Sequence, residues 1–393
     1  MKIFHVITSL GRGGAERQLV NLVSNTDRAK YEHVICHLRP PNAFAAEIEQ
    51  IGCTVINLNL SHKWPWLAAP AKLAPLLRTY APDIIQTWLY DADVSARLSR
   101  LLAGRIPIIN TLHLTTYEPE TIRAANWSEW KIAGLRWVDK LTAELTKPLF
   151  IACSDTVRQS AKRHLGIPES RIRVIFNSID QTTLRCEPDA PRRLRQELGI
   201  APAGCVFLNI GRLDPQKGQA DLLRAFQSVV ASIPNAYLVL VGDGPSALAL
   251  RSLASELDID RRVRFLGRRN DVGACLEMGD VFVFPSLFEG LPLAPIEAMM
   301  KGLPCIASRI GPVVEIIDDQ QTGVLVTPGC VDELAAAMIG LARDPVCRRA
   351  LGERAREVAV RRFDSRPSAL TWERLYHEVA PQGTNYVGVS NQL

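Results

Sequence analysis

Short apolar runs alternate with helical patterns along almost the whole chain, and this alternation constrains the fold more than any other feature. Runs that predict strands occur at residues 2–8, 31–38, 53–58, 83–88, 106–112, 148–152, 172–176, 205–210, 237–241, 262–266 and 280–284. Strands that alternate with helices predict parallel sheets covered by helices on both faces. Ligands of such sheets bind at the carboxyl ends of the strands.

The length of 393 residues indicates two domains, because one hydrophobic core rarely organises so long a chain. We predict an N-terminal domain over residues 1–180 and a C-terminal domain over residues 203–363. Three prolines favour a linker at 181–202. A helical pattern at 345–378 precedes a tail, 381–393, that lacks periodicity and is expected to be disordered.

The nine cysteines show no regular spacing and no C-x-x-C pair, which favours reduced thiols in a cytoplasmic protein over disulfides or structural zinc. The N-terminal residues MKIFHVITSL contain one lysine and a short apolar run, so we interpret them as a strand and not as a signal peptide. No apolar run reaches the length of about 18 residues that indicates a membrane-spanning helix.

Charge is spread unevenly along the chain. Residues 1–185 carry 23 Lys and Arg against 16 Asp and Glu. This basic first half suits peripheral contact with the anionic inner face of a membrane or with a phosphorylated acceptor, and a mildly basic soluble face is equally open. Residues 114–147 include Trp127, Trp130 and Trp137, and we interpret this segment as the acceptor or membrane side. Nucleic acid is disfavoured, because the sequence has no basic helix, zinc module or RNP-type motif.

The stretch PSLFEGLPLAPIEAMMK, residues 285–301, follows a predicted strand and contains a tight turn and the start of a helix. Such a turn is an anion site, because free backbone N–H groups and the helix dipole favour negative charge. Two carboxylates flank it, Glu289 in the turn and Glu297 about one helical turn inside the helix. Carboxylates accept hydrogen bonds from hydroxyl groups, so the stretch suits a nucleotide or a phosphorylated sugar.

The sequence EGLPLAPIEAM resembles the Glu-x7-Glu signature of the family 4 glycosyltransferases, which are retaining enzymes with the GT-B fold. The resemblance implies an α/β protein of two Rossmann-like domains facing across a cleft, with a last helix, about 364–378, crossing back to the first domain. It implies that Glu289 meets sugar hydroxyls, and we expect Glu297 to hold the ribose hydroxyls of the donor. The residues expected to surround the donor phosphates in the turn are Gly290, Leu291, Pro292, Leu293 and Ala294.

Further motifs of this family occur along the chain in the expected order. Gly13 and Gly14 lie in GGAE, which resembles the glycine loop over the donor phosphate and sugar. His113, in NTLHLTT, matches the histidine that approaches the donor sugar. Arg212 and Lys217, in GRLDPQKG, match the pair that grips the diphosphate. The loop with Gly267 and Arg268 corresponds to the one that holds the nucleotide base.

Two D-x-D sequences occur, Asp91-Ala-Asp93 and Asp258-Ile-Asp260. D-x-D is the metal-binding signature of the other large glycosyltransferase architecture. Here Asp91 precedes a predicted helix, Ala92 to Leu102, as a natural N-cap, and the second pair lies in a polar loop. We therefore expect no metal at either site and no cofactor.

These features predict transfer of a sugar from a nucleotide-diphosphate sugar, UDP-linked in preference to GDP-linked, to a hydroxyl of a glycan or lipid-linked saccharide. The resemblance implies retention of anomeric configuration and a place in cell-surface or exported polysaccharide synthesis, such as that of lipopolysaccharide. A GT-B sugar-nucleotide epimerase and a non-catalytic sugar-nucleotide-binding protein remain open as alternatives. A nicotinamide dehydrogenase is disfavoured, because the glycine spacing near Gly13 is not G-x-G-x-x-G.

Overall fold

The computed structural model describes residues 1–60, 65–124 and 127–381, and the chain divides into two compact units. The first unit comprises residues 1–178 together with the segment that begins at Ser365. The second unit comprises residues 179–364. The tail expected to be disordered, 381–393, lies outside the described residues except for Pro381.

Within its described residues, the first unit contains a parallel sheet of seven strands in the order β3-β2-β1-β4-β5-β6-β7. Its strands are β1 (Lys2–Ile7), β2 (Glu32–His37), β3 (Thr54–Asn57), β4 (Ile84–Trp88), β5 (Ile108–Leu112), β6 (Leu149–Ala152) and β7 (Ile172–Val174). Its first helices are α1 (Gly14–Asn25), α2 (Ala45–Gln50), α3 (Pro65–Tyr80), α4 (Tyr90–Ala103), α5 (Pro119–Ala124), α6 (Glu129–Thr146) and α7 (Asp155–Leu165).

The central strand β1 is buried on both faces, as a parallel sheet between helices requires. Successive side chains point to opposite faces, so Ile3 and Ile7 pack in one apolar cluster and Phe4 and Val6 in another. The sheet is therefore a rigid platform, and the loops at the carboxyl ends of its strands carry the polar residues described below.

The second unit, all of whose residues are described, contains a parallel sheet of six strands in the order β10-β9-β8-β11-β12-β13. Its strands are β8 (Cys205–Ile210), β9 (Ala236–Val241), β10 (Val263–Gly267), β11 (Val281–Phe284), β12 (Cys305–Ser308) and β13 (Gly323–Val326). Its helices are α8 (Ala190–Glu197), α9 (Gln219–Ser232), α10 (Ala247–Glu256), α11 (Val272–Met278), α12 (Leu293–Met300), α13 (Gly311–Val314), α14 (Val331–Arg343) and α15 (Pro345–Phe363). Two parallel α/β sheets confirm the prediction of two Rossmann-like domains.

The segment 181–202, predicted as a linker, is part of the second unit. It contains α8, in which Arg195 donates a 2.8 Å hydrogen bond to the carbonyl oxygen of Met278 and lies 2.9 Å from the carboxylate of Asp280. These contacts fix the segment to the ends of α11 and β11. Its prolines therefore mark turns around a packed helix.

The helical pattern at 345–378 forms two helices, α15 and α16 (Ser365–Val379), separated at Asp364, near the start of about 364 that was expected for the last helix. Asp364 has an extended backbone and forms a bridge with Ile179, which interrupts the helical hydrogen bonds. α16 belongs to the first unit, where the hydroxyl of Tyr376 donates a 2.6 Å hydrogen bond to the Gln86 side chain.

Among the described residues, none of the helices has both the length and the apolar character needed to cross a membrane.

Candidate active site

In the second unit, the order of the strands places the loops after β8 and β11 next to each other. β8 pairs with β9 on one side and with β11 on the other, so the direction of winding reverses between β8 and β11. Ligands of open α/β sheets bind at such a switch point, outside the carboxyl ends of the strands. Of the predicted donor-binding residues, Arg212 and Lys217 lie in the first of these loops, at 211–217, and Gly290, Leu291 and Pro292 lie in the second, at 285–292.

The side chains of Lys217 and Glu289 join the two loops through an ion pair. The Nζ of Lys217 lies 2.6 Å from Oε1 of Glu289, whose side chain is 9% exposed. The same Nζ lies 5.5 Å from the ring centroid of Phe284, the last residue of β11. The structure thus brings together the residue predicted to grip the diphosphate and the one predicted to meet the sugar hydroxyls.

Hydrogen bonds to main-chain carbonyl oxygens and one close glycine contact hold the same two loops together. The amide of Leu287 donates to the carbonyl oxygen of Gln216 at 2.9 Å, and the Gln216 side chain donates to the carbonyl oxygen of Phe288 at 2.8 Å. Gly218 has a positive φ of 67°, and a Cβ at this position would lie 2.1 Å from the carbonyl oxygen of Pro285. Only glycine permits this approach of the two chains.

Arg212 lies at the more exposed side of the loop after β8, with 63% of its side chain exposed. Its guanidinium lies 2.9 Å from the carboxylate of Asp214, which also accepts a hydrogen bond from the amide of Gln216. Asp214 therefore orients the guanidinium and caps the short turn that carries Lys217. A guanidinium has five N–H donors, so Arg212 retains donors for phosphate oxygens.

The start of α12 follows directly after the loop that contains Glu289. Pro292 is the N-cap of this helix, and the first amides, at Leu293 and Ala294, have no intrahelical acceptor by geometry. Their free N–H groups and the helix dipole favour an anion at this end. Glu297 is the fifth residue of the helix and is partly exposed, so it lies about one turn from the anion position as predicted.

The loop predicted to hold the base begins where β10 ends. Gly267 has a positive φ of 63°, and its carbonyl oxygen accepts a 2.8 Å hydrogen bond from the amide of Gly242. A Cβ at Gly242 would lie 1.9 Å from the carbonyl oxygen of Gly211, so the loops after three neighbouring strands are in close contact. The next residue, Arg268, is exposed, and its Nε lies 3.9 Å from the carboxylate of Asp243.

In the first unit, Gly13 and Gly14 lie after β1, and Gly13 is the N-cap of α1. A Cβ at Gly13 would lie 2.3 Å from Oε2 of Glu16, so the glycine leaves room for this carboxyl group. Glu16 is buried in the first turn, 3.5 Å from the hydroxyl of Ser9, and burial raises its pKa. Sequence reasoning did not single out Glu16, although an acidic residue three positions after a glycine N-cap is a recognisable signal.

His113 follows β5 directly, and its ring stacks on that of Trp88 with the centroids 5.2 Å apart. Both ring nitrogens are buried, and neither has a hydrogen-bond partner among the residues that the structure describes. Burial lowers the pKa of His113 to about 4, so the ring is neutral at pH 7. A neutral imidazole has one donor and one acceptor, and no described residue pairs with either one.

A cavity of about 620 Å³ opens at the carboxyl ends of β1, β4 and β5 in the first unit. Its volume falls in the range of small-molecule sites, and it combines apolar walls with a few polar groups. Its lining includes Asp91, Asp93, His113, Trp127, Trp130 and Lys131.

The carboxylates of the first D-x-D pair lie in the wall of this cavity. Asp91 lies 3.3 Å from the guanidinium of Arg39, and burial raises the pKa of both carboxyl groups, that of Asp93 to about 7. Asp93 accepts hydrogen bonds from the side chains of Thr87 and Asn110. The prediction that Asp91 is an N-cap is wrong: α4 begins at Tyr90, two residues before the predicted start, and its N-cap is Leu89, whose positive φ of 75° turns the chain into the helix.

Comparison with known families covers both units. Residues 12–183 match the family described as Glycosyltransferase Family 4, and residues 192–358 match the family described as Glycosyl transferases group 1. The chain belongs to the family 4 glycosyltransferases. This confirms the resemblance found in the motifs around Glu289 and Glu297, and with it a GT-B fold.

The glycosyltransferase is 29% identical over 323 residues to the N-acetyl-alpha-D-glucosaminyl L-malate synthase of Bacillus anthracis, a match that covers 81% of each chain. It is 28% identical over 277 residues to the UDP-Gal:alpha-D-GlcNAc-diphosphoundecaprenol alpha-1,3-galactosyltransferase of Escherichia coli, which covers 70% of each chain. Among solved structures, Anabaena HepE in complex with UDP-glucose matches with a TM-score of 0.84 at 25% identity, covering 96% of this chain and 100% of that one.

A buried polar network behind the cavity also escaped sequence reasoning. Arg97, inside α4, lies 2.5 Å from the carboxylate of Asp139, which accepts a further 2.7 Å hydrogen bond from the hydroxyl of Tyr117. Arg97 also donates to the side chain of Asn110 at 2.8 Å. The network ties α4 and β5 of the glycosyltransferase to α6. Its signal is weak, because an arginine in a helix is usually exposed.

Proposed function

We propose that this glycosyltransferase moves a sugar from a UDP-sugar to a hydroxyl of a saccharide or lipid-linked saccharide, with retention of anomeric configuration. The reaction serves cell-surface or exported polysaccharide synthesis. The observation that carries the proposal is the Lys217–Glu289 ion pair at the switch point of the second unit, beside the start of α12. It supplies, at one place, a cation for phosphate and a carboxylate for sugar hydroxyls.

The preference for a uridine nucleotide is supported by two of the similar proteins. HepE is described in complex with UDP-glucose, and the name of the Escherichia coli relative includes UDP-Gal as its donor. In this chain we assign the diphosphate to Arg212, Lys217 and the first amides of α12. We assign the ribose hydroxyls to Glu297 and the base to the backbone near Gly267.

The acceptor proposal is supported by the cavity of the first unit. Trp127 and Trp130 present aromatic faces that can stack on a sugar ring, and Asp91 offers carboxylate oxygens to its hydroxyls. The name of the Escherichia coli relative gives a lipid-linked saccharide as its acceptor. We therefore assign the acceptor saccharide to this cavity.

The proposed chemistry breaks the bond between the sugar C1 and a phosphate oxygen and forms a bond from C1 to the acceptor oxygen on the same face. The acceptor proton passes to the departing phosphate oxygen. Arg212, Lys217 and the α12 amides stabilise the charge that develops on the leaving nucleoside diphosphate. Glu289 positions the sugar through its hydroxyls, and neutral His113 hydrogen-bonds the sugar near the reacting carbon.

A panel of nucleotide sugars tests this function. The protein is incubated with each sugar, with and without saccharide acceptors, and free nucleotide and sugar products are followed by chromatography and NMR. We expect UDP release that depends on the acceptor and a product with the anomeric configuration of the donor. Conversion of the donor without acceptor would indicate an epimerase, and binding without turnover would indicate a sugar-nucleotide sensor.

A further inference from the structure

Helix α6 buries a face that mixes polar and apolar side chains and exposes a face with large apolar side chains. Its buried residues are Ile132, Leu135, Asp139, Thr142, Ala143 and Thr146. Asp139 holds the buried Arg97, so the inward face is fixed by hydrogen bonds as much as by apolar contacts. A surface helix of a soluble domain normally has the opposite arrangement, with its apolar stripe toward the core.

The outward face of α6 carries four large apolar side chains. Trp130 is 79% exposed, Trp137 64%, Leu141 42% and Leu145 58%. Their spacings of seven, four and four residues place them on one side of the helix. Gly134 lies in the same row, where a Cβ would meet nothing within 4 Å. The residues Trp130, Trp137, Leu141 and Leu145 are called the α6 stripe below.

Basic residues accompany the α6 stripe. Lys140 and Lys147 are exposed beside it, and Arg136 is partly exposed. Glu144, an acidic residue next to the stripe, lies 3.1 Å from the guanidinium of Arg171, so its charge is compensated within the protein. Glu129 is exposed at the start of α6, and the basic residues still outnumber the acidic ones. The surface therefore combines tryptophan, leucine and net positive charge, a combination that suits the headgroup region of an anionic lipid bilayer.

We propose that the α6 stripe docks the first unit on an anionic lipid surface, with Trp130 and Trp137 at the headgroup level and Lys140 and Lys147 against the lipid charge. A second copy of the chain fits this face poorly. Self-association would place the same lysines against each other, whereas a stable interface needs about 800 Å² from each partner, more than one row of side chains supplies.

Docking at this face would place the cavity of the first unit beside the lipid surface. Trp130 belongs both to the α6 stripe and to the cavity lining, so one wall of the cavity lies beside the proposed lipid surface. A saccharide carried on a lipid would then reach the cavity without leaving the bilayer. This last step rests on the proposed function, whereas the docking itself does not.

Vesicle flotation of the full chain tests the docking. The vesicles are phosphatidylcholine with or without phosphatidylglycerol, at low and at high salt. We expect binding to the phosphatidylglycerol vesicles at low salt, reduced at high salt. The triple variant Trp137→Ala, Leu141→Ala, Leu145→Ala should bind at least about tenfold more weakly, because each apolar group that enters the interface adds affinity. Lys140→Gln and Lys147→Gln should each cost roughly fivefold.

The matched control is the triple variant Leu248→Ala, Val346→Ala, Leu370→Ala, which removes three apolar side chains that are at least half exposed elsewhere on the surface and should float like the parent. UDP binding is measured for both triple variants and should equal that of the parent, so loss of docking is separated from failure of the proposed donor site. Equal flotation of the α6 variant and the parent would overturn the proposal. If sedimentation velocity shows a dimer for the parent and a monomer for the α6 triple variant, the stripe would instead be assigned to contact between copies of the chain.

Discussion

The ammonium group of Lys217 lies 2.6 Å from the carboxylate of Glu289, so two residues assigned to different parts of the donor hold each other in place. Lys217 follows β8 and Glu289 follows β11, the two strands at the switch point of the second sheet. The pair keeps both side chains extended toward one position before any ligand binds, which lowers the entropy cost of binding. A diphosphate that reaches Lys217 must share the ammonium group with Glu289.

This relationship predicts opposite effects for two substitutions. In Glu289→Gln, Lys217 loses its anionic partner and becomes more available to phosphate, so UDP should bind as tightly as before or more tightly. Turnover should nevertheless fall by about 100-fold, because a group that positions the sugar is lost. In Lys217→Ala, UDP affinity and turnover should both fall. Calorimetry with UDP and kcat measurements separate the two cases.

The double variant Lys217→Ala, Glu289→Gln completes a double-mutant cycle for UDP binding. For side chains in direct contact, we expect a coupling of about 0.5–3 kcal/mol in UDP binding. Weaker UDP binding in Glu289→Gln than in the parent would contradict the competition between carboxylate and phosphate. Additive effects in the double variant would show that the pair does not matter for the donor.

A second prediction concerns Glu297, the fifth residue of α12. If its carboxylate accepts hydrogen bonds from the ribose hydroxyls, Glu297→Ala should weaken UDP binding by about 1.5–3 kcal/mol. The loss should be seen equally with UDP and with the whole donor, because the sugar is not involved. Glu353→Ala, which removes an exposed carboxylate from α15, is the control and should leave the affinity unchanged. Unchanged affinity in Glu297→Ala would remove the assignment.

Much of the fold could be predicted because most strands are apolar runs that end in glycine or polar turns. β12 and β13, which pair with each other in the second sheet, were missed. The boundary near 364 was expected from the family resemblance and not from the helical pattern, because the bridge between Asp364 and Ile179 that breaks the helix joins distant parts of the chain.

In the candidate site, too, some features could be predicted from the sequence and others could not. Single residues such as Arg212 and His113 were predicted from motifs that resemble those of the family, each directly after a strand. Their partners were not, because ion pairs between loops depend on which strands are neighbours. The Lys217–Glu289 pair spans 72 positions, and it forms only because the chain returns to the other side of β8.

A third prediction follows from the burial of His113, which lowers its pKa to about 4. The ring stays neutral above that pH, so protonation of His113 should not shape the pH dependence of kcat between pH 6 and 8. His113→Ala should lower turnover with little change in UDP affinity, because the lost contact is to the sugar. A kinetic pKa between 6 and 7 that disappears in His113→Asn would contradict this assignment.

A fourth prediction concerns stability. His5 and His33 contact each other at 2.9 Å in the first unit, and burial lowers the pKa of both, that of His33 to about 4. Their pKa values in the unfolded chain are about 6.5, so between these values the unfolded state binds more protons. The free energy of unfolding should therefore be fully present above pH 6.5. It should fall as the pH drops toward 4, by up to about 1.4 kcal/mol per pH unit for each histidine.

Urea unfolding at several pH values, followed by circular dichroism, measures this slope. His33→Gln keeps a polar side chain beside the hydroxyl of Thr26, which lies 2.8 Å from His33, and should flatten the slope while retaining the fold. An unfolding free energy that stays constant between pH 7 and pH 4.5 would show that these histidines do not titrate on unfolding.

The last prediction is that transfer needs no divalent metal. The leaving nucleoside diphosphate gathers negative charge as its bond to the sugar breaks, and a metal held by aspartates is one way to stabilise it. Here Asp91 is paired with Arg39, and burial raises the pKa of Asp93 to about 7, so both carboxyl groups are poor metal ligands. In the proposed mechanism the positive charge is instead supplied by Arg212, Lys217 and the α12 amides. Activity should therefore survive excess EDTA.

If Arg212 stabilises this charge in place of a metal ion, its removal should slow sugar transfer. Arg212→Ala should lower turnover by about 100-fold, because the guanidinium acts on charge that develops in the transition state. Asp214→Asn is the matched variant: it keeps Arg212 but weakens the contact that orients it, so turnover should fall by a smaller factor. Loss of activity in EDTA with recovery on addition of magnesium or manganese would contradict the metal-free mechanism. If activity survives EDTA and Arg212→Ala matches the parent, the charge must be stabilised by other groups.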